Sequence, residues 1–294
     1  MRLGVRAALT TTLATLAACG SGSGPAGGPA TGRSPGPAVT APWVTPENSA
    51  TPTAHSALSG APSAQPSPPH GTAPAHAETT PISGWLAGTD WTYIPTTRHV
   101  VALTFDAGGN ADAVPSILAT LRRDHVPATF FLTGAFASDY PSAARAIVAS
   151  GERIGDHTIT HPYLTQSSDA AVRREILGAA QQITAVTGAN PAPLFRFPFG
   201  DADARTITIA NQLGYVPVRW TVDTLGWEGT AGHINAAVVV SRVLAALRPG
   251  EIVLMHAGSN PKDRTTFDAD ALPQVITGLE ARGYSFVTLD ALVG

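Results

Sequence analysis

Cysteine, charge and long apolar runs are all scarce in this sequence. Its 294 residues include a single cysteine, Cys19, so no disulfide can form within the chain and the fold must rest on packing. Charged residues make up only 13%, the net charge is −3, and no long basic run is present. A nucleic acid is therefore not an expected partner, and no pattern points to a protein partner.

An uncharged apolar stretch over residues 7–18 follows Arg2 and Arg6. It is too short to span a bilayer as a mature helix and matches the centre of a secretory signal. It runs into Leu16-Ala-Ala-Cys19-Gly, which resembles the bacterial lipobox, in which the cysteine is acylated and becomes the mature N-terminus. We therefore expect a signal peptide over 1–19 and an exported protein, lipid-anchored through Cys19 to the outer face of the bacterial cytoplasmic membrane. The alternative is a stray cysteine in a signal peptide cleaved elsewhere.

Residues 20–81 consist almost wholly of Gly, Pro, Ala, Ser and Thr. Such a segment buries too little apolar surface to offset its backbone entropy. The sequence therefore predicts a disordered linker that holds a folded domain away from the membrane, facing the cell wall. The first aromatic cluster, Trp85, Trp91 and Tyr93, marks the point where this linker docks onto the domain. We expect a single domain over 82–294.

Apolar strand patterns alternate with helical patterns throughout this domain. This alternation predicts an α/β fold with a parallel sheet and right-handed crossovers. Because no Gly-rich phosphate loop is present, a (β/α) barrel is favoured over a dinucleotide-binding fold. The predicted strands cover 100–105, 128–132, 153–154, 215–222, 251–255 and 285–289, and the predicted helices cover 113–124, 141–150, 168–187, 204–213, 234–247 and 271–282.

Asp106 ends the first apolar run and precedes the chain-breaking residues 108–110. It therefore lies at the C-terminal end of a strand, where α/β folds gather ligands and catalytic side chains. The alternative is a turn aspartate that caps the next helix.

Two histidines four residues apart, His157 and His161, follow the strand predicted at 153–154. They fall on one side of a turn or helix start, and Pro162 fixes the exit, so both imidazoles can converge on one cation. Zinc is the default metal for such a pair. A pair of metal-free structural histidines is the alternative.

Three further polar side chains lie at or near predicted strand ends. Arg196 is flanked by phenylalanines, with a surface salt bridge as the alternative. Asp223 lies between two tryptophans, which favours either a sugar-stacking wall or ordinary core packing. His256 ends an apolar strand and can serve as acid or base near neutral pH.

Taken in order, these pieces resemble the motifs of the polysaccharide deacetylase family, the NodB-homology carbohydrate esterases. The resemblance covers about 100–292 and implies a distorted (β/α) barrel of the NodB-homology type, with metal-dependent removal of acetyl groups from a polysaccharide. The matching stretches are Thr104-Phe-Asp-Ala-Gly, His157-Thr-Ile-Thr-His-Pro, Arg196-Phe-Pro-Phe-Gly, Asp223-Thr-Leu-Gly-Trp and Leu254-Met-His.

The resemblance also implies a role for each matching residue. Asp106 would be the general base that activates water, and His256 would protonate the leaving amine. His157 and His161 would be two of three ligands of a divalent metal, zinc by default. The supporting residues would be Arg196, which orients Asp106, Asp223, which tunes His256, and Leu254 with Trp227, which line the pocket for the acetyl methyl group.

The sequence departs from the family pattern at two positions. Ala107 stands where the family usually has an aspartate as third metal ligand, and Gly226 replaces the second acid of the fourth motif. Asp112 and Asp156 are nearby carboxylates that could supply the missing ligand, with Asp112 favoured because residues 108–110 permit a sharp return. Asp112 is equally explained as the cap of the helix at 113.

The expected activity is hydrolytic N-deacetylation of amino sugars in peptidoglycan or chitin-like glycans. Location beside the cell wall favours peptidoglycan. Two alternatives stay open: an O-acetyl esterase of the xylan type, and a metal-poor module that binds glycan without turnover. Retention of both Asp106 and His256 argues against the binding module, because binding alone needs neither a base nor an acid.

Overall fold

The structure is a computed structural model that describes residues 81–294. The predicted signal peptide, Cys19 and nearly all of the predicted linker lie outside the described residues. Within 81–294, no helix is both long and apolar enough to cross a membrane.

A parallel sheet forms the centre of the fold, as the sequence predicted. Its strands follow the order β5-β4-β3-β2-β1-β7-β6, and β8 pairs with the start of β1. Every pairing in this sheet is parallel, so all carboxyl ends lie on one side. The strands are β1 Val100–Ala107, β2 Thr129–Leu132, β3 Arg153–Asp156, β4 Leu194–Phe195, β5 Val216–Pro217, β6 Val222–Asp223, β7 Glu251–His256 and β8 Ser285–Phe286.

Helices connect these strands and cover the outside of the curved sheet, which gives a distorted (β/α) barrel. The helices are α1 Val114–Asp124, α2 Gly134–Asp139, α3 Pro141–Ala149, α4 Asp169–Thr187, α5 Ala204–Gln212, α6 Ala236–Ala246, α7 Phe267–Glu280 and α8 Asp290–Val293.

Alternation along β1 divides its side chains between two environments. Leu103, Phe105 and Ala107 belong to the larger apolar cluster, which the helices share. Ala102 belongs to a second cluster, inside the barrel. By the same period of two, Thr104 and Asp106 lie on the interior face above Ala102. The interior is therefore apolar at its base and polar at the carboxyl end of β1.

The segment before β1 fills the gap between the two edges of the sheet. Trp91 forms a parallel bridge with Val218, and Tyr93 forms an antiparallel bridge with Glu251. The N–H of Trp91 donates to the carbonyl of Pro217 at 3.0 Å. The aromatic cluster at 85–93 thus packs onto the sheet, whereas the linker predicted to dock here lies almost wholly outside the described residues.

The prediction of one strand over 215–222 is wrong. Two short strands, β5 and β6, occupy this stretch and pair with different neighbours, β4 and β7. The segment at 91–93 lies between them, and Pro217 has no N–H with which to continue a ladder. The chain therefore leaves one strand before it enters the next.

Smaller differences concern element ends and short elements. The last strand ends at Phe286 rather than 289, and α7 begins at Phe267 rather than 271. Three elements were not predicted, α2, β4 and α8, each of at most six residues. Elements this short carry too few apolar positions to show a period.

Glu251, at the start of β7, is a fully buried carboxylic acid. One of its oxygens accepts the N–H of Arg248 at 3.3 Å, and the other has no hydrogen-bond partner. Burial raises the pKa of Glu251 from 4.5 to about 7. The buried acid is therefore held in its neutral form at mildly acidic pH.

We predict that Glu251→Gln stabilises the protein relative to wild type only above mildly acidic pH. A raised folded-state pKa gives stability that is complete below 4.5 and is lost as pH rises through about 7. The free energy of unfolding of the variant minus that of wild type should rise by roughly 2–3 kcal/mol from pH 4.5 to 8. Denaturant unfolding at both pH values measures it, with exposed Glu280→Gln as control. A difference that does not change with pH would contradict the prediction.

Candidate active site

Arg196 reaches the barrel interior from the end of β4 and is fully buried. Its Nη1 lies 2.7 Å from Asp106 Oδ1 and donates also to Thr104 Oγ1 at 2.9 Å. Its Nε donates to the carbonyl of Val218, and its Nη2 donates to the carbonyl of Arg219. The guanidinium is thus held in one orientation by four partners. The surface salt-bridge alternative for Arg196 is wrong.

Asp106 receives a net electrostatic stabilisation of its charged form. Burial alone would raise the pKa of this carboxyl, but Arg196, His157 and His256 outweigh burial and lower it. The carboxylate is therefore ionised at neutral pH. Its Oδ1 is occupied by Arg196, whereas its Oδ2 faces the histidine pair, 3.3 Å from His157 Nε2.

The two histidines converge, as the sequence predicted. Nδ1 of His157 lies 2.8 Å from the carbonyl oxygen of Arg196, and a carbonyl can only accept, so Nδ1 carries the proton and Nε2 presents a lone pair. Nε2 of His161 lies 3.1 Å from this Nε2, and its own Nδ1 is buried without a partner. Burial lowers the pKa of His157. Burial, together with the repulsion that a proton on His157 would exert, lowers the pKa of His161 to about 3. Both rings are therefore neutral, the state in which imidazole binds metal.

A strained turn after β3 brings the two rings together. Thr158 and His161 have φ angles of 68° and 60°, which are costly for residues other than glycine. Asp156 Oδ1 accepts the N–H of Thr158, and Glu175 Oε2 accepts the N–H groups of residues 159 and 160, each at 2.9 Å. These two carboxylates stabilise the turn. Glu175 lies on α4, and its sequence neighbourhood gives no signal of this role.

The two proposed replacements for a third ligand have other partners. Asp112 Oδ2 lies 2.7 Å from Arg264 Nη2 and accepts the hydroxyl of Ser259. Asp156 is fully buried, and burial raises its pKa well above the usual range. The capping interpretation of Asp112 is wrong, because α1 has Ala113 at its N-cap and no side-chain cap bond.

The donor set fits a divalent metal in part. Two neutral imidazoles whose Nε2 atoms lie 3.1 Å apart are ligands that zinc favours. Within 81–294, however, no group of three or more His, Cys, Asp or Glu side chains is arranged to hold a metal ion. Ala107 itself is buried in the larger apolar cluster.

His256 faces the site from the end of β7, where it pairs in register with Asp106 on β1. Burial lowers the pKa of His256, but Asp268, Asp106 and Asp223 outweigh burial and raise it above its ordinary value. The indole of Trp227 lies 6.2 Å from the imidazole, centre to centre. An anionic carboxylate and a histidine that favours its protonated form thus lie on neighbouring strands.

The remaining predicted residues take different positions around His256. Asp223 ends β6, and its Oδ1 accepts the N–H of Leu225 at 2.8 Å. Leu254 is buried and pairs in register with Asp223 and Thr104. Asp268 was missed, because it precedes the helix predicted at 271. An acid in the first turn of an apolar helix is a weak signal, since such acids commonly lie in solvent.

Comparisons with known proteins agree with this geometry. A family model described as polysaccharide deacetylase matches residues 93–218. The peptidoglycan-N-acetylglucosamine deacetylase PgdA of Listeria monocytogenes is 34% identical over 67% of this chain, and the chain spans 40% of that protein. A chitooligosaccharide deacetylase of Sinorhizobium fredii is 36% identical over 63% of this chain and 87% of its own length.

The solved structures that match this chain include a protein described as a pseudoenzyme. A CE4 family pseudoenzyme from Bacillus anthracis matches with a TM-score of 0.61 and 29% identity, over 67% of this chain and 66% of that one. Motifs, barrel and relatives thus agree, and the chain belongs to the polysaccharide deacetylase family, the family 4 carbohydrate esterases.

Proposed function

We propose that this protein is a metal-dependent hydrolase that removes N-acetyl groups from amino sugars of peptidoglycan or a chitin-like glycan. One observation carries the proposal: Asp106 and His256 are register partners on adjacent strands, on the face that also holds the histidine pair. Relatives named for N-acetylglucosamine and chitooligosaccharide deacetylation support the choice of substrate class.

The chain's own residues supply the proton transfers. Asp106 is ionised and has Oδ2 directed away from Arg196, so this oxygen accepts a proton from the attacking water. The raised pKa of His256 favours its protonated form, and the ring donates this proton to the leaving nitrogen as the C–N bond breaks. Arg196 keeps Asp106 in place throughout, because all of its bonds are to groups that do not react.

His157 and His161 would hold the metal, and zinc is the proposed ion. A bound divalent cation lowers the pKa of water and polarises the acetyl carbonyl. The pair's neutral nitrogens suit a borderline metal, and Asp106 lies within reach of the same space. Leu254 and Trp227 would line the pocket for the acetyl methyl group, with Trp227 as an apolar wall beside His256.

We predict that Asp106→Asn and His256→Ala each lower acetate release by ~10²- to 10⁴-fold, because each removes a proton-transfer group. Release is measured on N-acetylglucosamine oligomers, peptidoglycan and acetylated xylan, with and without chelator. Asp124→Asn, at an exposed α1 terminus, is the control for a neutral aspartate substitution and should behave as wild type. Near wild-type release by Asp106→Asn would refute the assigned base.

The same assay separates the two alternatives. Release from xylan alone would identify an O-acetyl esterase. Binding of glycan without acetate release by wild type would identify a binding module. Two observations support this alternative: the site has two histidines and no third metal ligand within 81–294, and the chain is similar to a pseudoenzyme.

We predict that Ala107→Asp tightens zinc binding at least tenfold, because it restores the carboxylate that the family uses. Ala107 pairs in register with Leu132, whose carbonyl accepts the N–H of His157, so position 107 adjoins the pair. Calorimetric titration gives the affinity, and thermal unfolding with and without zinc gives a second readout, since an unpaired buried carboxylate destabilises the metal-free variant. Ala107→Val is the size control and should gain no affinity.

Asp112→Ala and Asp156→Ala complete the titration. Because Asp112 is paired with Arg264 and burial favours the neutral form of Asp156, zinc affinity should change by less than tenfold in each. A larger loss in one variant would identify that residue as the third ligand. If zinc affinity is unchanged in Ala107→Asp, Asp112→Ala and Asp156→Ala, the two histidines are the only protein ligands among these candidates.

We also propose that Cys19 anchors the protein to the membrane. Cys19→Ser should move the protein from the membrane fraction to the soluble fraction or leave it unprocessed, because acylation is the proposed anchor. Fractionation with immunoblotting measures this, and Ser21→Ala, beside the lipobox, is the control. Unchanged membrane association of Cys19→Ser would exclude the lipid anchor.

A further inference from the structure

The carboxylate of Asp268 occupies the space that a side chain at position 226 would fill. A Cβ built on Gly226 would lie 2.2 Å from Asp268 Oδ1 and 2.4 Å from its Cγ. The backbone of Gly226 does not itself require glycine, since its φ is outside the left-handed range. Glycine is required here because an acid arrives from another element, the first turn of α7. The acid missing from the fourth motif therefore has a counterpart in space.

Asp268 is bound to the end of β7 and to the residue that follows β6. It is 3% exposed. Its Oδ1 accepts the hydroxyl of Thr224, directly after β6, at 2.6 Å, and its Oδ2 accepts the backbone N–H of His256 at 2.8 Å. The same Oδ2 lies 3.7 Å from His256 Nδ1, which has no hydrogen-bond partner of its own.

The other charged groups around His256 are placed differently. Asp106 on β1 is paired with Arg196, and Asp223 on β6 accepts the N–H of Leu225. The histidine pair after β3 is neutral, and the positive charge of His256 contributes to the lowered pKa of both rings. Asp268 is thus the carboxylate whose oxygen already bonds the His256 backbone and faces its ring nitrogen.

We infer that Asp268 is a positioning residue for His256 and replaces the acid absent at Gly226. It directs the Nδ1 proton of the imidazole toward α7, which leaves Nε2 to face the substrate. Its negative charge also favours the protonated ring, consistent with the raised pKa of His256. The effect of Asp268 on catalysis rests on the proposed deacetylation. Its effect on the orientation and pKa of the His256 ring does not.

The first test replaces the charge with an amide of the same shape. In Asp268→Asn, the pKa of His256 should fall, and the alkaline limb of the kcat/KM profile should move to lower pH, because an acid that loses its proton earlier fails earlier. We expect kcat to fall about 10- to 100-fold with little change in KM, as for other residues that orient a catalytic group. Asp270→Asn, an exposed acid in the same turn, is the matched control and should change neither.

Histidine NMR provides a readout independent of turnover. The His256 signal, identified by its loss in His256→Ala, is titrated in wild type, Asp268→Asn and Asp270→Asn. A fall in pKa without acetate release by wild type would support the positioning role and refute the proposed function. Acetate release with an unchanged His256 pKa and pH profile in folded Asp268→Asn would overturn the inference.

A swap of the two positions covers the case in which Asp268→Asn does not fold. Gly226→Asp alone should destabilise the protein, because two carboxylates would compete for one space. The double variant Gly226→Asp with Asp268→Ala should be at least tenfold more active than Asp268→Ala. The pKa of His256 in the double variant should return toward its wild-type value. No recovery in a folded double variant would overturn the inference.

Discussion

The buried ion pair between Arg196 and Asp106 constrains the rest of the structure. A fully buried guanidinium is tolerated only when its N–H groups are bonded, and here they reach Thr104 and Asp106 on β1 and the carbonyls of Val218 and Arg219 after β5. The pair therefore fixes opposite walls of the barrel relative to each other. Removal of one partner would leave an unpaired buried charge, which costs about 3–5 kcal/mol.

The sequence was sufficient for the architecture and for most of the site because both depend on local patterns. Apolar runs that end in a polar residue predicted the ends of β1 and β7, and a parallel sheet brings such ends together whatever the connections are. This is why the sequence alone could place Asp106 and His256 at the carboxyl ends of the strands, on one side of the sheet. The short turn between His157 and His161 likewise needed only its own residues to bring two rings together.

Features that depend on distant pairings could not be predicted in this way. The interruption between β5 and β6 is caused by the segment at 91–93, more than a hundred residues earlier in the chain. The role of Glu175 exists only because α4 packs over the strained turn. Asp268 gives only a weak local signal, since the glycine that accommodates it belongs to a different element.

The two departures from the family pattern are therefore physically different. At Gly226 the carboxylate of Asp268 occupies the space of the lost acid and accepts the backbone N–H of His256. At Ala107 no carboxylate is present, Asp112 is paired with Arg264, and Asp156 bonds the N–H of Thr158 through Oδ1. Both groups proposed for proton transfer are thus present, whereas within 81–294 only two histidines are placed to act as the proposed metal ligands. In the proposed reaction, the loss at Gly226 is therefore compensated by a residue from another element, whereas within 81–294 no third ligand compensates the loss at Ala107.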